Sequence, residues 1–427
     1  MTFKENLSKF LSDEEIKKLM SSLNKEDQHA LLLNKNKMDE EQLLSLFPLL
    51  KAHPIVKNGY LYDKNIYPLG KSIYHELGAF YLQEPSAMSV VSLLEKMDDA
   101  FILDMCASPG GKSIQASLIN PNSTIIANDL SRARCETLLS NIERLGLNNI
   151  VISNNDFTKI YQSYLNYFDL IILDAPCSGS GMFRKDNKMI DDWSINKVYK
   201  YQQTQKELID IAYQMLKKGG YLSYSTCSYS MEENEEVIIS LLDKYDDIEI
   251  IEIKKDNLFI NKKCPIGVRF MPSYFNGEGQ YFCLIRKKGE RNINKYKNEN
   301  KYQSLFPFIN DDVNILKAGQ TYFALNKAIN IKPLNVIRYG IKLGDYDNKI
   351  YRYDLHLAKS KYAYNFPYVE IKEEEVRNYL LGNPLTYENN INGYVALRYK
   401  NIIVDITKVI NGVIKNHYPK GLRRKYQ

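Results

Sequence analysis

The chain has 427 residues, 44% of them hydrophobic and 25% charged, with a formal net charge of +6. Such a chain is long enough for two or three soluble domains, and its mild positive charge permits a nucleic-acid partner without requiring one. The six cysteines are widely spread without zinc-ligand spacing, which excludes a disulfide scaffold and predicts free thiols and no metal site. No apolar run reaches membrane-spanning length and no signal core follows the start, so we expect a cytoplasmic protein that does not bind a membrane.

The first ninety residues are predicted to form a small N-terminal domain, 1–90. Ser12 and Glu15 fit a capping box ahead of one amphipathic helix, and residues 40–50 suggest a second helix. Glycine and proline interrupt residues 53–80, so the topology of this domain is not predicted.

A regular pattern follows over residues 91–285, where apolar runs of strand length alternate with stretches of helix length. This alternation predicts parallel βαβ units and an open α/β sheet, which binds ligands beyond the carboxyl ends of its strands. A final hairpin is expected to complete the sheet. The predicted strands are FILDM (101–105), TIIAND (124–129), IVISNN (150–155), FDLIILD (168–174) and GYLSYST (220–226), the predicted helices are 131–145 and 196–216, and the hairpin joins 268–272 to 280–287.

The rest of the chain is predicted to hold a linker and a further α+β region. Residues 286–304 are polar and rich in Lys, Arg and Asn, and we interpret them as a solvated linker, with an RNA-contacting segment as the alternative. Residues 305–427 contain short alternating strands such as 394–399 and 401–407, and residues 415–427 hold basic side chains and no acid.

The segment LDMCASPGGKS (103–113) leads from the first strand through a Pro-Gly-Gly turn towards a helix. It is close to a phosphate-binding loop, but Cys106 stands where that motif needs its first glycine, and the dinucleotide pattern fails as well. A phosphate-loop NTPase is therefore the weaker alternative, and it leaves the paired cysteines described below without a use.

Acidic residues stand at or near the ends of successive strands. Asp129 is spaced as a ribose hydroxyl acceptor, and Asp156, one strand further along, could accept from an adenine amine. An aspartate at a strand end can also simply cap the next helix. Together with Asp104 in the first strand and a glycine turn, the set favours a nucleoside ligand.

Two further strand ends carry a cysteine each: Cys177 after the fourth strand and Cys227 after the fifth. If these strands are neighbours, both thiols face one crevice. Ser230 and Glu233 are predicted to form a capping box just after Cys227, and a helix N-terminus lowers the pKa of a nearby thiol.

Two thiols beside a strand-end carboxylate suit methylation of a pyrimidine at carbon 5. A thiolate that adds to carbon 6 makes carbon 5 nucleophilic enough to attack an activated methyl group. A carboxyl group that hydrogen-bonds ring nitrogen 3 stabilises the adduct. S-adenosylmethionine would supply the methyl group, with its adenosine at Asp129 and Asp156. On physical grounds alone either thiol could be the nucleophile.

These residues resemble the Sun-type RNA cytosine-5 methyltransferases, and their bacterial RsmF branch in particular. The combination of two cysteine motifs with CASPGGK is much more specific than any single motif. The matching segments are CASPGGK (106–112), NDLSRAR (128–134), Asp156, DAPCSGSGMFRKD (174–186) and STCSYSMEENEEVI (225–238), supported by LQEPSAM (82–88) and RFMPSYFNGEGQYF (269–282).

The resemblance implies a Rossmann-like, S-adenosylmethionine-dependent core at 91–285, flanked by an RNA-binding N-terminal domain and a PUA-like RNA-binding region at 305–427. It implies that Cys227 is the nucleophile, that Cys177 assists breakdown of the adduct and RNA release, and that Asp174 contacts the flipped cytosine and the cofactor. The other cofactor contacts it implies are Cys106, Ala107, Ser108, Pro109, Gly110, Gly111, Lys112, Asp129 and Asp156.

The resemblance favours RNA of the small ribosomal subunit, or the assembling subunit, as the partner. A monomer is the simplest expectation for the enzyme itself. A tRNA or DNA enzyme with the same chemistry stays open as an alternative. So does a non-catalytic RNA-binding assembly factor, although a pure binder has no use for the nucleophile.

Overall fold

The computed structural model describes residues 1–185, 188–293, 298, 301–347, 350–387 and 391–423. Three parts of the sequence discussed above lie outside the described residues. They are Asp186 at the end of the DAPCSGSGMFRKD segment, part of the predicted linker, and the last four residues of the basic C-terminus. The helices are α1 Phe3–Leu7, α2 Asp13–Leu23, α3 Glu40–Leu46, α4 Ile73–Glu76, α5 Pro85–Ser92, α6 Gly111–Ile119, α7 Arg132–Leu145, α8 Phe157–Ile160, α9 Lys188–Asp191, α10 Ile195–Met215, α11 Glu235–Leu242, α12 Leu355–Lys359 and α13 Glu373–Leu380.

The strands lie in four sheets within the described ranges. The strands are β1 His29–Leu33, β2 Lys51–Ala52, β3 Gly59–Tyr62, β4 Phe80–Gln83, β5 Phe101–Asp104, β6 Thr124–Asn128, β7 Ile150–Ser153, β8 Phe168–Asp174, β9 Leu216–Thr226, β10 Ile248–Ile251, β11 Val268–Phe270, β12 Gln280–Lys287, β13 Asn314–Ala318, β14 Thr321–Leu325, β15 Val336–Tyr339, β16 Ile341–Asp347, β17 Ile350–Tyr353, β18 Tyr368–Glu370, β19 Leu385–Thr386, β20 Gly393–Tyr399, β21 Ile402–Ile410 and β22 Val413–Ile414.

The central sheet has the order β10-β12-β9-β8-β5-β6-β7-β15, with β11 paired to β12. Strands β9, β8, β5, β6 and β7 run parallel, because helices cross over between them, and β12 returns antiparallel to β9 as the predicted hairpin requires. The residues of β5, β6 and β7 are buried throughout, so apolar side chains pack on both faces of the sheet. The predicted α/β core is confirmed.

The flanking regions form smaller sheets. The N-terminal sheet has the order β2-β3-β1-β4, and the capping box of Ser12 and Glu15 opens α2 as predicted. The second predicted helix ends at Leu46, four residues early, because Pro48 follows and disfavours helical backbone just before it. The C-terminal region contains the sheets β13-β14-β16-β17 and β18-β20-β21-β22-β19.

One pairing of the central sheet was not predicted. Strand β15, from the C-terminal region, pairs antiparallel with β7 and extends the sheet beyond its last parallel strand. The edge of β7 would otherwise present unpaired backbone groups. Along the described parts of the chain, no helix combines the length and apolar character needed to cross a bilayer.

Candidate active site

The site lies at the carboxyl ends of the parallel strands, where the loops after β5, β6, β7, β8 and β9 meet. The loop after β5 turns into α6 at Gly110, whose φ of 116° lies in the left-handed region that favours glycine. A Cβ atom on Gly111 would stand 2.6 Å from Gln83 Nε2, so a larger residue would not fit there without moving that amide. The two glycines therefore let this loop pass close to its neighbours.

A cavity of about 610 Å³, which we call the Asp129 cavity, opens beside this loop. Asp129 is buried, and its Oδ1 accepts a hydrogen bond from the backbone N–H of Ser131 over 2.9 Å. Its Oδ2 lies 3.3 Å from Arg134 Nη2 but accepts no well-directed hydrogen bond within the described residues. A buried carboxylate oxygen without such a bond is costly, so this atom suits a ligand hydroxyl such as that of a ribose.

Asp156 lines the same cavity and also caps α8. Its Oδ1 accepts from the backbone N–H and the hydroxyl of Thr158, and Oδ2 lies 3.3 Å from Lys159 Nζ. The Thr158 hydroxyl is the main cause of a lowered pKa of this carboxyl group. Asp156 therefore has the helix-capping role named as its alternative, and Oδ2 faces a flexible lysine.

A second cavity of about 320 Å³, which we call the Glu278 cavity, lies on the other side of the loop. Cys106, Ser108, Asp174 and Cys227 line both cavities, so the two spaces meet at the predicted nucleophile. Ala107, Pro109, Gly111 and Lys112 line only the Glu278 cavity.

Of the predicted cofactor residues, Gly110 lines neither cavity and acts through the shape of the turn. The other predicted cofactor residues line one or both cavities, but Asp129 and Asp156 lie on the opposite side of the loop from Ala107, Pro109, Gly111 and Lys112.

Asp174 accepts hydrogen bonds from three side chains. Its Oδ2 accepts from Lys112 Nζ over 2.6 Å, and its Oδ1 accepts from Ser225 Oγ over 2.7 Å and from Gln280 Nε2 over 2.9 Å. The Gln280 contact was missed in the sequence, although Gln280 lies within the downstream RFMPSYFNGEGQYF segment. These bonds hold the carboxylate at the junction of the two cavities.

The two thiols lie together, because β8 and β9 are neighbouring parallel strands. The Sγ atoms of Cys177 and Cys227 are 3.0 Å apart. The hydrogen bond with Cys227, together with burial, raises the pKa of Cys177 well above its ordinary value. Cys177 therefore favours its neutral thiol form, and either sulfur can donate the hydrogen bond between them.

The predicted helix start next to Cys227 is wrong. Helix α11 begins at Glu235, and its N-cap residue Asn234 makes no side-chain capping bond. Glu233 does not cap a helix with Ser230, because its carboxylate is engaged by the loop after Cys177, where it accepts from Ser178 Oγ over 2.5 Å. The first residue of α11 therefore lies eight positions after Cys227 and not directly beside it.

Two other ionisable groups near the loop are shifted by burial. Burial raises the pKa of Asp104 to about 7, although Ser113 donates a hydrogen bond to it over 2.6 Å. Burial likewise raises the pKa of Cys106 far above its ordinary value. Cys106 is therefore a neutral part of the wall of the site. In the described part of the chain, no group of three or more His, Cys, Asp or Glu side chains could hold a metal ion.

The strand order of the central sheet, with its antiparallel β12 between β9 and β10, is that of the Rossmann-like methyltransferases. Three family models match consecutive parts of the chain: "N-terminal domain of 16S rRNA methyltransferase RsmF" at 1–85, "16S rRNA methyltransferase RsmB/F" at 91–286 and "Methyltransferase RsmF PUA domain" at 366–424.

Curated relatives match most of the chain. It is 32% identical over 395 residues to ribosomal RNA small subunit methyltransferase F of Vibrio vulnificus strain YJ016, covering 85% of this chain and 83% of that protein. It is 30% identical over 406 residues to the protein of the same name in Vibrio cholerae strain M66-2, covering 87% and 85%. The chain belongs to the RsmB/F family of 16S rRNA methyltransferases, within its RsmF branch.

Solved structures support the fold. NSun6 from Pyrococcus horikoshii with SFG superposes with a TM-score of 0.60 at 22% identity, covering 67% of this chain and 97% of that one. A methyltransferase homolog protein from the same organism gives a TM-score of 0.59 at 26% identity, covering 67% and 94%.

Proposed function

We propose that this protein transfers the methyl group of S-adenosylmethionine to carbon 5 of a cytosine in small-subunit ribosomal RNA, with Cys227 as the nucleophile. The observation that carries the proposal is the position of Cys227. It lines both cavities and lies 3.0 Å from a second thiol, beside the Asp174 carboxylate. The family membership supports the substrate class.

The Asp129 cavity suits the cofactor. Asp129 Oδ2, buried and without a well-directed hydrogen bond from the described residues, is available to a ribose hydroxyl. Asp156 is the acceptor proposed for the adenine amine, and Cys106 and Ser108 form the wall next to the reacting group. When bound, S-adenosylmethionine supplies an activated methyl group that a carbon nucleophile can take.

The Glu278 cavity suits the target cytosine, which must leave its stack to reach Cys227. Cys227 adds to carbon 6 of the base as a thiolate, which makes carbon 5 nucleophilic. Asp174, held by Lys112, Ser225 and Gln280, hydrogen-bonds the ring and stabilises the adduct. After methyl transfer a base takes the carbon-5 proton, the double bond between carbons 5 and 6 re-forms, and Cys227 leaves as a thiolate.

Cys177 is assigned to the second half of the reaction. The hydrogen bond with Cys227 and burial raise the pKa of Cys177, so we propose that it acts as a thiol and not as the attacking thiolate. From 3.0 Å away it is placed to assist breakdown of the carbon–sulfur bond at Cys227 and release of the RNA.

The regions on either side of the catalytic part are proposed to bind the RNA. We propose residues 1–90 and 305–427 as RNA-binding regions around a catalytic domain at 91–285, with 286–304 as the linker. The first two residues of that linker, 286–287, are the end of β12. The match of a PUA domain model to residues 366–424 supports this division. Lys408, Lys415 and Lys420 are exposed there and suit contacts with phosphates. We further propose that the protein acts as a monomer on the small subunit in the cytoplasm.

The test is methyl transfer from labelled S-adenosylmethionine to purified small ribosomal subunits and, in parallel, to total tRNA, followed by digestion to nucleosides. Label in 5-methylcytosine from the small subunit supports the proposal. Label confined to tRNA would move the substrate to that class. RNA binding without label in either pool would indicate a non-catalytic assembly factor.

A further inference from the structure

A carboxylate that the proposed reaction does not use lies directly behind the two thiols. Glu233 is fully buried, and its Oε1 accepts from the backbone N–H of Ser178 over 2.8 Å and from Gln205 Nε2 over 3.1 Å. Its Oε2 accepts from Ser178 Oγ and from Ser228 Oγ, each over 2.5 Å. Every one of these partners donates, which is the arrangement that fits an ionised, acceptor-only carboxylate.

The two serines connect this hydrogen-bond network to the two thiols. Ser178 follows Cys177 directly in the chain, and Ser228 follows Cys227 directly. One side chain therefore bonds the residue after each thiol. Glu233 lies in the same strand-to-helix segment as Ser228, five residues further on, and reaches across to Ser178 in the turn after β8. The Sγ–Sγ distance of 3.0 Å is set between these two anchored positions.

Other bonds join the two loops further from the sulfurs. The backbone N–H of Gly181 donates to the Cys227 carbonyl over 2.6 Å, and the backbone N–H of Tyr229 donates to Ser180 Oγ over 2.9 Å. These bonds are neutral and each links one pair of atoms. Glu233 differs, because it is charged and bonds both loops at once, and hydrogen bonds to an ionised acceptor are about twice as strong as neutral ones.

A purely structural role explains this arrangement less well. Glu233 does not cap α11, which begins at Glu235. Burial raises the pKa of Glu233, so the folded protein keeps an ionised group at a cost. A packed apolar residue of similar volume often gives equal or greater stability than a buried charge, so stability alone does not call for a carboxylate here.

We propose that Glu233 is a positioning residue that sets the distance between Cys177 and Cys227 and thereby links nucleophilic attack to release of the product. The first part concerns the geometry of the two thiols alone, and the second part rests on the proposed function. Loss of the carboxylate should separate the sulfurs. Release should then suffer more than attack, because attack needs Cys227 only.

The first experiment needs no RNA. Diamide oxidises two thiols that can meet to a disulfide and is itself reduced to the hydrazine. We expect Cys177 and Cys227 to couple rapidly in the wild type. In Glu233→Gln, which has one acceptor oxygen instead of two, we expect coupling to slow by about tenfold or more, the equivalent of one charged hydrogen bond. Mass spectrometry of the linked peptides quantifies this particular pair.

Glu236→Gln is the matched control. Glu236 lies three residues further on, and its carboxylate accepts from Gln202 Nε2 over 2.7 Å. This variant should couple at the wild-type rate. Ser228→Ala removes one donor from Glu233 and should slow coupling partially. This variant tests the proposal if Glu233→Gln does not fold. Unchanged coupling in Glu233→Gln, or in Ser228→Ala where the former is unfolded, overturns the proposal.

The second experiment tests whether the position of the two thiols affects release of the product. With S-adenosylmethionine and small subunits, Glu233→Gln should lower kcat, leave the KM for S-adenosylmethionine unchanged and increase the covalent protein–RNA adduct on a denaturing gel. Slower diamide coupling without adduct would retain the positioning role and contradict the link to release. Methyl transfer absent from the wild type would contradict the proposed function and leave the diamide result standing.

Discussion

Lys112 Nζ donates a hydrogen bond to Asp174 Oδ2 over 2.6 Å, and this contact joins the first turn of α6 to the end of β8. The Lys112 side chain is only 7% exposed, whereas that of Asp174 is 35% exposed and borders both cavities. The lysine thus supports the carboxylate from behind and leaves its open side to a ligand. A fixed positive charge at this point is suited to stabilise negative charge that develops on a reacting base.

Lys112→Met should lower kcat for methyl transfer by about 10²-fold, the usual cost of removing one preorganised electrostatic group. The affinity for S-adenosylmethionine should change much less, because Lys112 lines the Glu278 cavity and not the Asp129 cavity. Steady-state kinetics and calorimetric titration measure the two effects. Lys96→Met, at an exposed lysine paired with Asp98, is the control, and equal activities of the two variants would contradict the role of Lys112.

Cys227→Ala should abolish methyl transfer and leave binding of S-adenosylmethionine nearly unchanged. The alanine removes the sulfur that the reaction requires, whereas the carboxylates of the Asp129 cavity stay in place. The nucleoside assay and a calorimetric titration test both statements. Retained transfer would show that Cys227 is not the nucleophile.

Cys177→Ala should retain attack by Cys227 and slow release. A protein–RNA adduct should then accumulate and appear as an RNA-dependent mobility shift on a denaturing gel. The double variant Cys177→Ala/Cys227→Ala is the control, and it should form no adduct. Normal turnover without a shifted band would remove Cys177 from the release step.

Asp129→Asn should weaken binding of S-adenosylmethionine by about 10- to 100-fold, the range for losing a hydrogen bond to a charged acceptor. Asp156→Asn should have a smaller effect, because Oδ1 of Asp156 is already engaged by Thr158. Dissociation constants from calorimetry compare the two variants directly. A greater loss of affinity in Asp156→Asn than in Asp129→Asn would show that Asp156 contributes more to binding of the cofactor.

Asp104 should make stability fall as the pH rises. Its carboxyl group ionises near pH 4 in an unfolded chain, whereas burial raises its pKa to about 7 in the folded protein. Between these values the folded state holds one more proton than the unfolded state, so its contribution to stability is lost as the pH rises towards 7 and is constant above it.

Asp104→Asn lacks this titration. The free energy of unfolding of the wild type, relative to the variant, should decrease by roughly 3 kcal/mol between pH 5 and pH 8. Urea unfolding at the two pH values measures the difference. Parallel pH dependences of the two proteins would contradict the raised pKa.

Local sequence was enough to predict that strands carry the site, although β9 begins four residues before the predicted 220–226 and β7 ends two residues before the end of the predicted 150–155. The apolar runs at 101–105, 124–129 and 168–174 became β5, β6 and β8 with ends shifted by a residue at most, because a strand buried on both faces must be apolar along its length. The thiol pair was also predictable, provided that β8 and β9 are neighbours, since the carboxyl ends of neighbouring parallel strands share one edge.

Other features of the structure could not be predicted from the local sequence. Ser230 and Glu233 have the spacing of a capping box, but two of the donors that engage Glu233 belong to Ser178, fifty-five residues away in the chain. The pairing of β15 with β7 also joins segments far apart in the chain. Local sequence does not predict it, because an edge strand accepts any extended segment that reaches it.

The sequence by itself determined the family and the α/β core, and it supplied the side chains proposed to do the chemistry, because residue type, spacing and hydrophobic period are local properties. The tertiary structure alone decided how these side chains act on one another. It set the 3.0 Å between Cys177 and Cys227, the bond from Lys112 to Asp174 and the carboxylate of Glu233 behind both thiols. Such contacts join segments far apart in the chain, and only the packing of the whole sheet brings them within hydrogen-bond range.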